Sequence, residues 1–128
     1  MFEALSRWFS SLKPRPLSEW FVVTFDDESV YLDVSPPLRK SWKVSFTWAS
    51  VSCVCFKDEG LEASDGIYVF TTLRPESFVI PMQASGGSEL FGKLVEKGLF
   101  PRELMVEALA STNGEVYCWP PIENSPNG

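Results

Sequence analysis

The densest group of chemically capable side chains is a set of carboxylates within residues 57–65. Its members are Asp58, Glu59, Glu62 and Asp65. Charges in a loop are often simply solvated, and that interpretation stays open here. The alternative is a negative patch that attracts a basic protein. On this second interpretation the four residues are the candidate partner-binding site.

Three cysteines are the other reactive side chains. Cys53 and Cys55 lie two apart in a predicted strand, so they point the same way and are poorly placed to bridge each other. Because an odd number cannot all pair within the chain, we expect free thiols that behave as small hydrophobic residues. The alternative is a metal site that adds Cys118. Without histidine its fourth ligand would have to be a carboxylate or water, and we expect no metal and no cofactor.

Catalytic side chains form no recognisable set in the sequence. The chain has no histidine, the commonest general base near neutral pH. It also lacks the G-x-S-x-G nucleophile motif. Gly86 and Gly87 are followed by Ser88, where a phosphate-binding loop would place lysine. We therefore expect a protein that is not an enzyme and has no catalytic residues.

The charge balance narrows the class of partner. The 128 residues carry a net charge of -6. Because phosphate contacts need a concentrated basic surface, we expect no binding to nucleic acid. No apolar run is long enough to span a bilayer, and the N-terminus lacks the features of a secretory signal. We expect a cytoplasmic protein, with membrane binding disfavoured.

The elements that must position these side chains begin with a β-hairpin. β-Branched and aromatic residues fill positions 20–25 and 30–34, with Asp26, Asp27 and Glu28 between them. Those carboxylates lack the alternating ligand positions and the glycine of a metal-binding loop, so a solvated turn is favoured over a cation or basic-partner site.

The next apolar pattern changes phase within the chain. Residues 42–48 alternate apolar and polar, which is typical of a half-buried strand. Apolar residues occupy even positions through Trp48 and odd positions from Val51 to Cys55. We expect a bulge or short turn at this point, of the kind found where a sheet curls toward a barrel.

The remainder of the chain predicts a second hairpin, two helices and a last strand. Strands at 67–72 and 77–81 flank a turn that contains Pro75. A helix over 88–97 has a glycine-rich entry with a serine cap, and it ends at Gly98. A second helix runs from Pro101 to about residue 110, and residues 115–119 form the last strand.

The first thirteen residues predict an amphipathic helix. Its apolar stripe consists of Phe2, Leu5, Trp8, Phe9 and Leu12. Docking on the sheet of its own domain is favoured over insertion into a lipid surface, because the polar face is mostly serine rather than basic. Packing against another subunit, which would give a homo-oligomer, is a third alternative.

The order of the elements indicates an α+β domain over residues 1–121, followed by a tail, 122–128, that we expect to be disordered. Six or seven mostly antiparallel strands would form one curled sheet, a half-barrel. The helix over 88–97 would pack against it.

Hydrophobic spacing also carries a family resemblance. The residues concerned are Trp42, Trp48, Val51, Asp65, Gly66, Ile67, Tyr68, Phe78, Ile80 and Pro81, followed by the helix over 88–97. This pattern resembles small uncharacterised bacterial proteins, some of which look like immunity proteins of toxin systems. The resemblance implies a pleckstrin-homology-like layout, a curled sheet closed by a helix. The chain lacks the basic cluster of the phosphoinositide-binding members, so no functional residue is transferred.

The leading functional hypothesis is a non-catalytic bacterial protein-binding module, of the immunity type that inhibits a basic toxin. The second hypothesis is a membrane-peripheral or small-ligand-binding domain. That domain would use the N-terminal helix or a pocket in the curled sheet.

Overall fold

The computed structural model describes residues 16–58, 65–111 and 114–121, which form seven β-strands and two α-helices. The strands are β1 (Phe21–Phe25), β2 (Ser29–Val34), β3 (Trp42–Thr47), β4 (Val51–Lys57), β5 (Gly66–Thr71), β6 (Phe78–Pro81) and β7 (Val116–Trp119). The helices are α1 (Gly87–Glu96) and α2 (Arg102–Ala110). Short 3-10 helices cover Leu17–Glu19 and Trp48–Ser50.

The fold is α+β, but its strands form two antiparallel sheets that do not close, rather than one curled sheet. The first sheet has the order β1-β2-β3 and the second has the order β6-β5-β4-β7. Both predicted hairpins are confirmed, because β1 pairs with β2 and β5 pairs with β6. The predicted half-barrel is wrong, since β3 and β4 are consecutive in the chain but belong to different sheets.

The chain passes from one sheet to the other through the 3-10 helix Trp48–Ser50. Trp48 is buried, and its indole N–H donates a 2.7 Å hydrogen bond to the carbonyl of Asp26 in the first sheet's hairpin. The carbonyl of Ser50 accepts a 2.8 Å hydrogen bond from the N–H of Thr72, at the end of β5. The phase change in the sequence therefore marks a transfer between sheets, not a bend within one.

One hydrophobic core joins the inner faces of both sheets to α1. The rings of Phe46 in β3 and Phe78 in β6 lie 4.8 Å apart. Phe91 of α1 stacks on Phe56 of β4 at 5.2 Å, and Phe100 lies 5.2 Å from Phe91. Burial of such a ring contributes about 1.5–3 kcal/mol, so these contacts hold the layers together.

The entry to α1 differs from the predicted serine cap. Gly86 occupies the cap position at φ +84°, without a capping side-chain hydrogen bond. The preceding residue, Ser85, donates to the carbonyl of Phe21 at 2.9 Å and accepts from the N–H of Val23 at 2.7 Å. A β-carbon on Gly86 would collide with the carbonyl oxygen of Val23. Close approach of α1 to β1 therefore requires glycine, for which no side chain can substitute.

The predicted N-terminal helix and C-terminal tail lie outside the described residues. The described part of the chain has no N-terminal amphipathic helix and begins with the 3-10 helix Leu17–Glu19 beside β1. In the same part, no helix is long and apolar enough to cross a membrane.

Replacing Gly86 with alanine should destabilise the protein much more than the same change at Gly98. Both glycines have positive φ, but an added β-carbon meets open space at Gly98 and the Val23 carbonyl at Gly86. We expect Gly98→Ala to cost about 1–2 kcal/mol of unfolding free energy from backbone strain alone. Gly86→Ala should cost at least about 3 kcal/mol. Equal losses in urea unfolding would contradict the required close approach.

Candidate functional site

The predicted acidic site maps to one end of the second sheet. β4 ends there, and β5 and β7 begin there, because both pair antiparallel with β4. Three described carboxylate residues flank these strand ends, Asp58, Asp65 and Glu115, and we call this group the acidic corner. Glu59 and Glu62 belong to the same connection but lie outside the described residues. The topology thus adds Glu115, which the sequence did not single out.

Asp58 does not lie on the exposed surface of the acidic corner. The residue is 3% exposed. Its carboxylate accepts a 3.1 Å hydrogen bond from the N–H of Gly114, and its own N–H donates to the carbonyl of Glu115 at 3.1 Å. These bonds fasten the end of β4 to the turn that precedes β7. Asp58 is therefore a positioning residue, a role that an acidic loop sequence does not reveal.

The other two members of the corner are more accessible. Asp65 is half-buried, and its carbonyl accepts a 2.8 Å hydrogen bond from the N–H of Met82. Glu115 is exposed, and its carboxylate accepts a 3.1 Å hydrogen bond from the hydroxyl of Tyr117. The corner is therefore held to the two strands that flank it, β6 through Met82 and β4 through Asp58.

A second acidic group forms the turn between β1 and β2. The Asp26 carboxylate accepts hydrogen bonds from the Tyr31 hydroxyl at 2.8 Å and from the N–H groups of Glu28 and Ser29 at 2.9 and 2.8 Å. The bond from Tyr31 is the largest cause that holds the pKa of Asp26 below its ordinary value, and the backbone bonds add to it. These hydrogen bonds occupy the carboxylate and stabilise the turn. They support the interpretation of this acidic group as a structural turn rather than a cation site.

The outer face of the second sheet, the side turned away from the core, is largely apolar. Its side chains occupy alternate positions along the four strands and are Cys53, Cys55, Lys57, Tyr68, Phe70, Val79, Val116 and Cys118. Val79 and Val116 are 47% and 55% exposed. A shallow recess of about 250 Å³ lies between Tyr68, Phe70 and Val116. Exposed apolar patches on soluble domains mark sites of interaction with other molecules.

All three cysteines lie on this outer face. Cys55 and Cys118 are directly opposite in the β4–β7 pairing and form a disulfide, so the expectation of three free thiols is wrong. Cys53 remains free, with its sulfur 3.9 Å from the sulfur of Cys55. Sequence reasoning missed the bond because the register of two strands 63 residues apart depends on tertiary structure. In the described part of the chain, no group of three or more Cys, Asp or Glu residues is placed to hold a metal.

A cleft opens between the two sheets beside their edge strands β3 and β6. It has a volume of about 280 Å³, and its walls include Leu32, Trp42 and Phe78. Arg74 also lines the cleft, and its guanidinium lies 3.8 Å from the centre of the Phe78 ring. The same guanidinium donates two 3.0 Å hydrogen bonds to carbonyls of its own turn. The cleft therefore combines apolar walls with one positioned cation.

Comparisons with known proteins do not assign any of these surfaces. No family model, no curated protein and no solved structure matches the chain. The resemblance to bacterial immunity proteins stays a prediction, and function must be argued from the geometry of the acidic corner, the outer face and the cleft.

Replacing Asp58 with alanine should destabilise the protein. The change removes the part-buried hydrogen bond from the Gly114 N–H to the carboxylate, and a bond to a charged group contributes about 1.5–3 kcal/mol. Asp58→Asn retains an acceptor oxygen and should cost less. Asp27→Ala, on the exposed hairpin turn, should stay within about 0.5 kcal/mol of the wild type. Equal unfolding free energies for Asp58→Ala and Asp27→Ala would contradict the positioning role.

Replacing Tyr31 with phenylalanine should raise the pKa of Asp26 toward its ordinary value. The folded pKa of Asp26 is depressed, so its stabilising contribution is present above the ordinary pKa and is lost as pH falls through the folded pKa. Tyr31→Phe should therefore lose less stability on acidification than the wild type. The measurement is an NMR titration of the Asp26 carboxyl carbon. Tyr117→Phe is the control, and an identical Asp26 titration in both variants would contradict the assignment.

Proposed function

We propose that this chain is a non-catalytic protein-binding module whose contact surface is the outer face together with the acidic corner. The observation that carries the proposal is the position of the corner at one end of an exposed apolar sheet face. Apolar contacts stabilise such complexes, and the adjoining carboxylates favour a partner with a basic surface. This geometry supports the function predicted from the sequence, a bacterial immunity-type inhibitor of a basic toxin.

The outer face extends across all four strands of the second sheet. Strand pairing places Val79, Tyr68, Cys55 and Cys118 in one row that crosses β6, β5, β4 and β7. Neighbouring strands lie about 4.8 Å apart, so the row is about 15 Å wide. A partner that lies across this row would also reach Val116, beside the acidic corner.

Electrostatic attraction would act before contact. The chain has a net charge of -6, which favours encounter with a basic protein at low ionic strength. Because Asp58 is engaged with Gly114, the partner would meet Asp65 and Glu115 of the acidic corner, together with Glu59 and Glu62, the two other members of the site predicted from the sequence. Asp58 would contribute indirectly, through its hydrogen bonds to Gly114 and Glu115 at the end of β4.

The proposal also concerns two further properties, the lack of catalytic activity and the cellular compartment of the protein. The lack of histidine supports a binding function over an enzymatic one. The sequence predicts a cytoplasmic location, where thiols are kept reduced, whereas the Cys55–Cys118 disulfide favours an oxidising compartment. The state of this bond in intact cells distinguishes the two locations.

The cleft between the sheets favours a second function, the binding of a small apolar anion. Trp42 and Leu32 would contact the apolar part, and the guanidinium of Arg74 would pair with the charge. We rank this function second, because Arg74 already holds its own turn and the Phe78 ring.

The proposed surface can be tested by site-specific photo-crosslinking in cells of the source bacterium. A photoreactive residue at Val116 should give a discrete covalent adduct with one protein that has a basic surface. The same residue at Ser45, on the exposed side of the first sheet, should give none. An adduct that is equally abundant from Ser45, or an acidic captured protein, would contradict the proposal.

Association kinetics with the captured protein test the electrostatic part. The double variant Glu59→Gln/Glu62→Gln should associate about tenfold more slowly at low ionic strength, with a weaker dependence on salt. The matched control, Glu89→Gln/Glu96→Gln on the exposed side of α1, removes the same charge from a different element. An equal effect of both double variants would leave no specific role for Glu59 and Glu62 in steering the partner.

A further inference from the structure

The free thiol of Cys53 lies beside a disulfide in which it takes no part. Its sulfur is 3.9 Å from that of Cys55, which is bonded to Cys118. Cys53 and Cys55 point to the same side of β4, and the register of β4 with β5 shifts between Val51 and Cys53. A nucleophilic sulfur and a cleavable S–S bond therefore meet on one exposed sheet face.

Solvent reaches both the thiol and the disulfide. Cys53 is partly exposed and lines a recess of about 100 Å³ with Leu99, Trp119 and Pro120. Cys55 is buried, but Cys118 is partly exposed and both line the larger recess of the outer face. Protons can therefore reach and leave the sulfur atoms of the three cysteines without unfolding of the sheet.

We propose that the three cysteines form a thiol–disulfide exchange site in which Cys53 displaces Cys118 from Cys55. The Cys53 thiol gives its proton to solvent, and the thiolate attacks the sulfur of Cys55. A Cys53–Cys55 bond forms as the Cys55–Cys118 bond breaks. The electron pair leaves with the Cys118 sulfur, which then takes up a proton. One disulfide and one thiol are present before and after, so the step needs no oxidant or reductant.

The product requires a change in the backbone of β4. Residues two apart in a strand have Cα atoms about 6.6 Å apart, within the range of about 4.4–6.8 Å over which disulfides form. A bond between such residues requires a local bend. The register shift between Val51 and Cys53 lies directly before this pair, and pairing with β5 is regular from Cys53 to Cys55, so the exchange must distort that part of β4.

The surroundings of Cys53 make the exchange slow at neutral pH. Burial raises the pKa of the Cys53 thiol, and its S–H donates to the carbonyl of Pro120 at 3.5 Å. The recess around it is lined by uncharged residues. Of the charged side chains on the adjoining elements, Lys57 shares the outer face and Lys97 lies over the Trp48 ring. The exchange rate should therefore rise with pH as the thiolate fraction grows.

The exchange changes the surface proposed to bind a partner. It removes the covalent link between β4 and β7, which then pair only through their backbone hydrogen bonds and packed side chains. It also leaves a free thiol at Cys118, on the edge strand β7, and removes the free thiol of Cys53. Neither consequence depends on the proposed function, since both follow from the positions of the three sulfurs.

Peptide mapping of the folded, full-length protein tests the exchange. The protein is held without reductant at about pH 6.5 or about pH 9, labelled with N-ethylmaleimide and digested with trypsin. Cys53 and Cys55 fall in the tryptic peptide 44–57, and Cys118 falls in 103–128. The original disulfide joins these two peptides. The exchanged one closes a ring within 44–57 and leaves Cys118 labelled.

We expect the ring to form at the higher pH, at a rate that rises about tenfold per pH unit below the Cys53 pKa. The Cys118→Ser variant cannot form the Cys55–Cys118 bond and should form the Cys53–Cys55 bond after oxidation. The Cys53→Ser variant should keep the Cys55–Cys118 bond at both pH values. Near-ultraviolet circular dichroism verifies that each sample is folded. Failure of the wild type to form the ring would overturn the proposal, as would a bond from Cys53 to Cys118.

Discussion

The two backbone hydrogen bonds between Ser85 and β1 are the constraint on which the arrangement of the sheets depends. β6 belongs to the second sheet, and the segment that follows it is attached by these bonds to β1, an edge strand of the first sheet. The next residue, Gly86, then lies so close to the Val23 carbonyl that only glycine fits. From this point α1 is directed across the core, where Phe91 meets Phe56 and Phe100. Two open sheets thus share one hydrophobic interior.

The outer face of the second sheet follows from this arrangement. With its inner side occupied by the core, the sheet presents its alternate residues to the surroundings, and most of them are apolar. Pairing of β7 with β4 completes that face and joins Cys118 to Cys55. The same pairing brings Glu115 and Gly114 to Asp58. The surface proposed for partner binding and the proposed sulfur exchange therefore both depend on the β4–β7 contact.

Local patterns predicted the individual elements well. Alternating residues identify the strands, a run of carboxylates marks the turn of the first hairpin and Pro75 marks that of the second, because these signals act over a few neighbouring residues. The prediction failed where distant segments meet. A phase change at Trp48 indicates a break but does not say whether the chain stays in its sheet, and an acidic segment does not indicate that Asp58 faces inward. The Cys55–Cys118 bond depends on a register that no local pattern encodes.

By itself the sequence determined the α+β class, the two hairpins, the helices that begin near Gly87 and Arg102, and the acidic character of the segment that follows β4. Each of these depends on residue preferences and on spacings of a few residues. Tertiary structure alone decided the division into two sheets, the burial of Asp58, the need for glycine at position 86 and the meeting of three sulfurs on one face. The physical reason is that packing and strand register between distant segments depend on the whole core, and the spacing of neighbouring residues does not specify them.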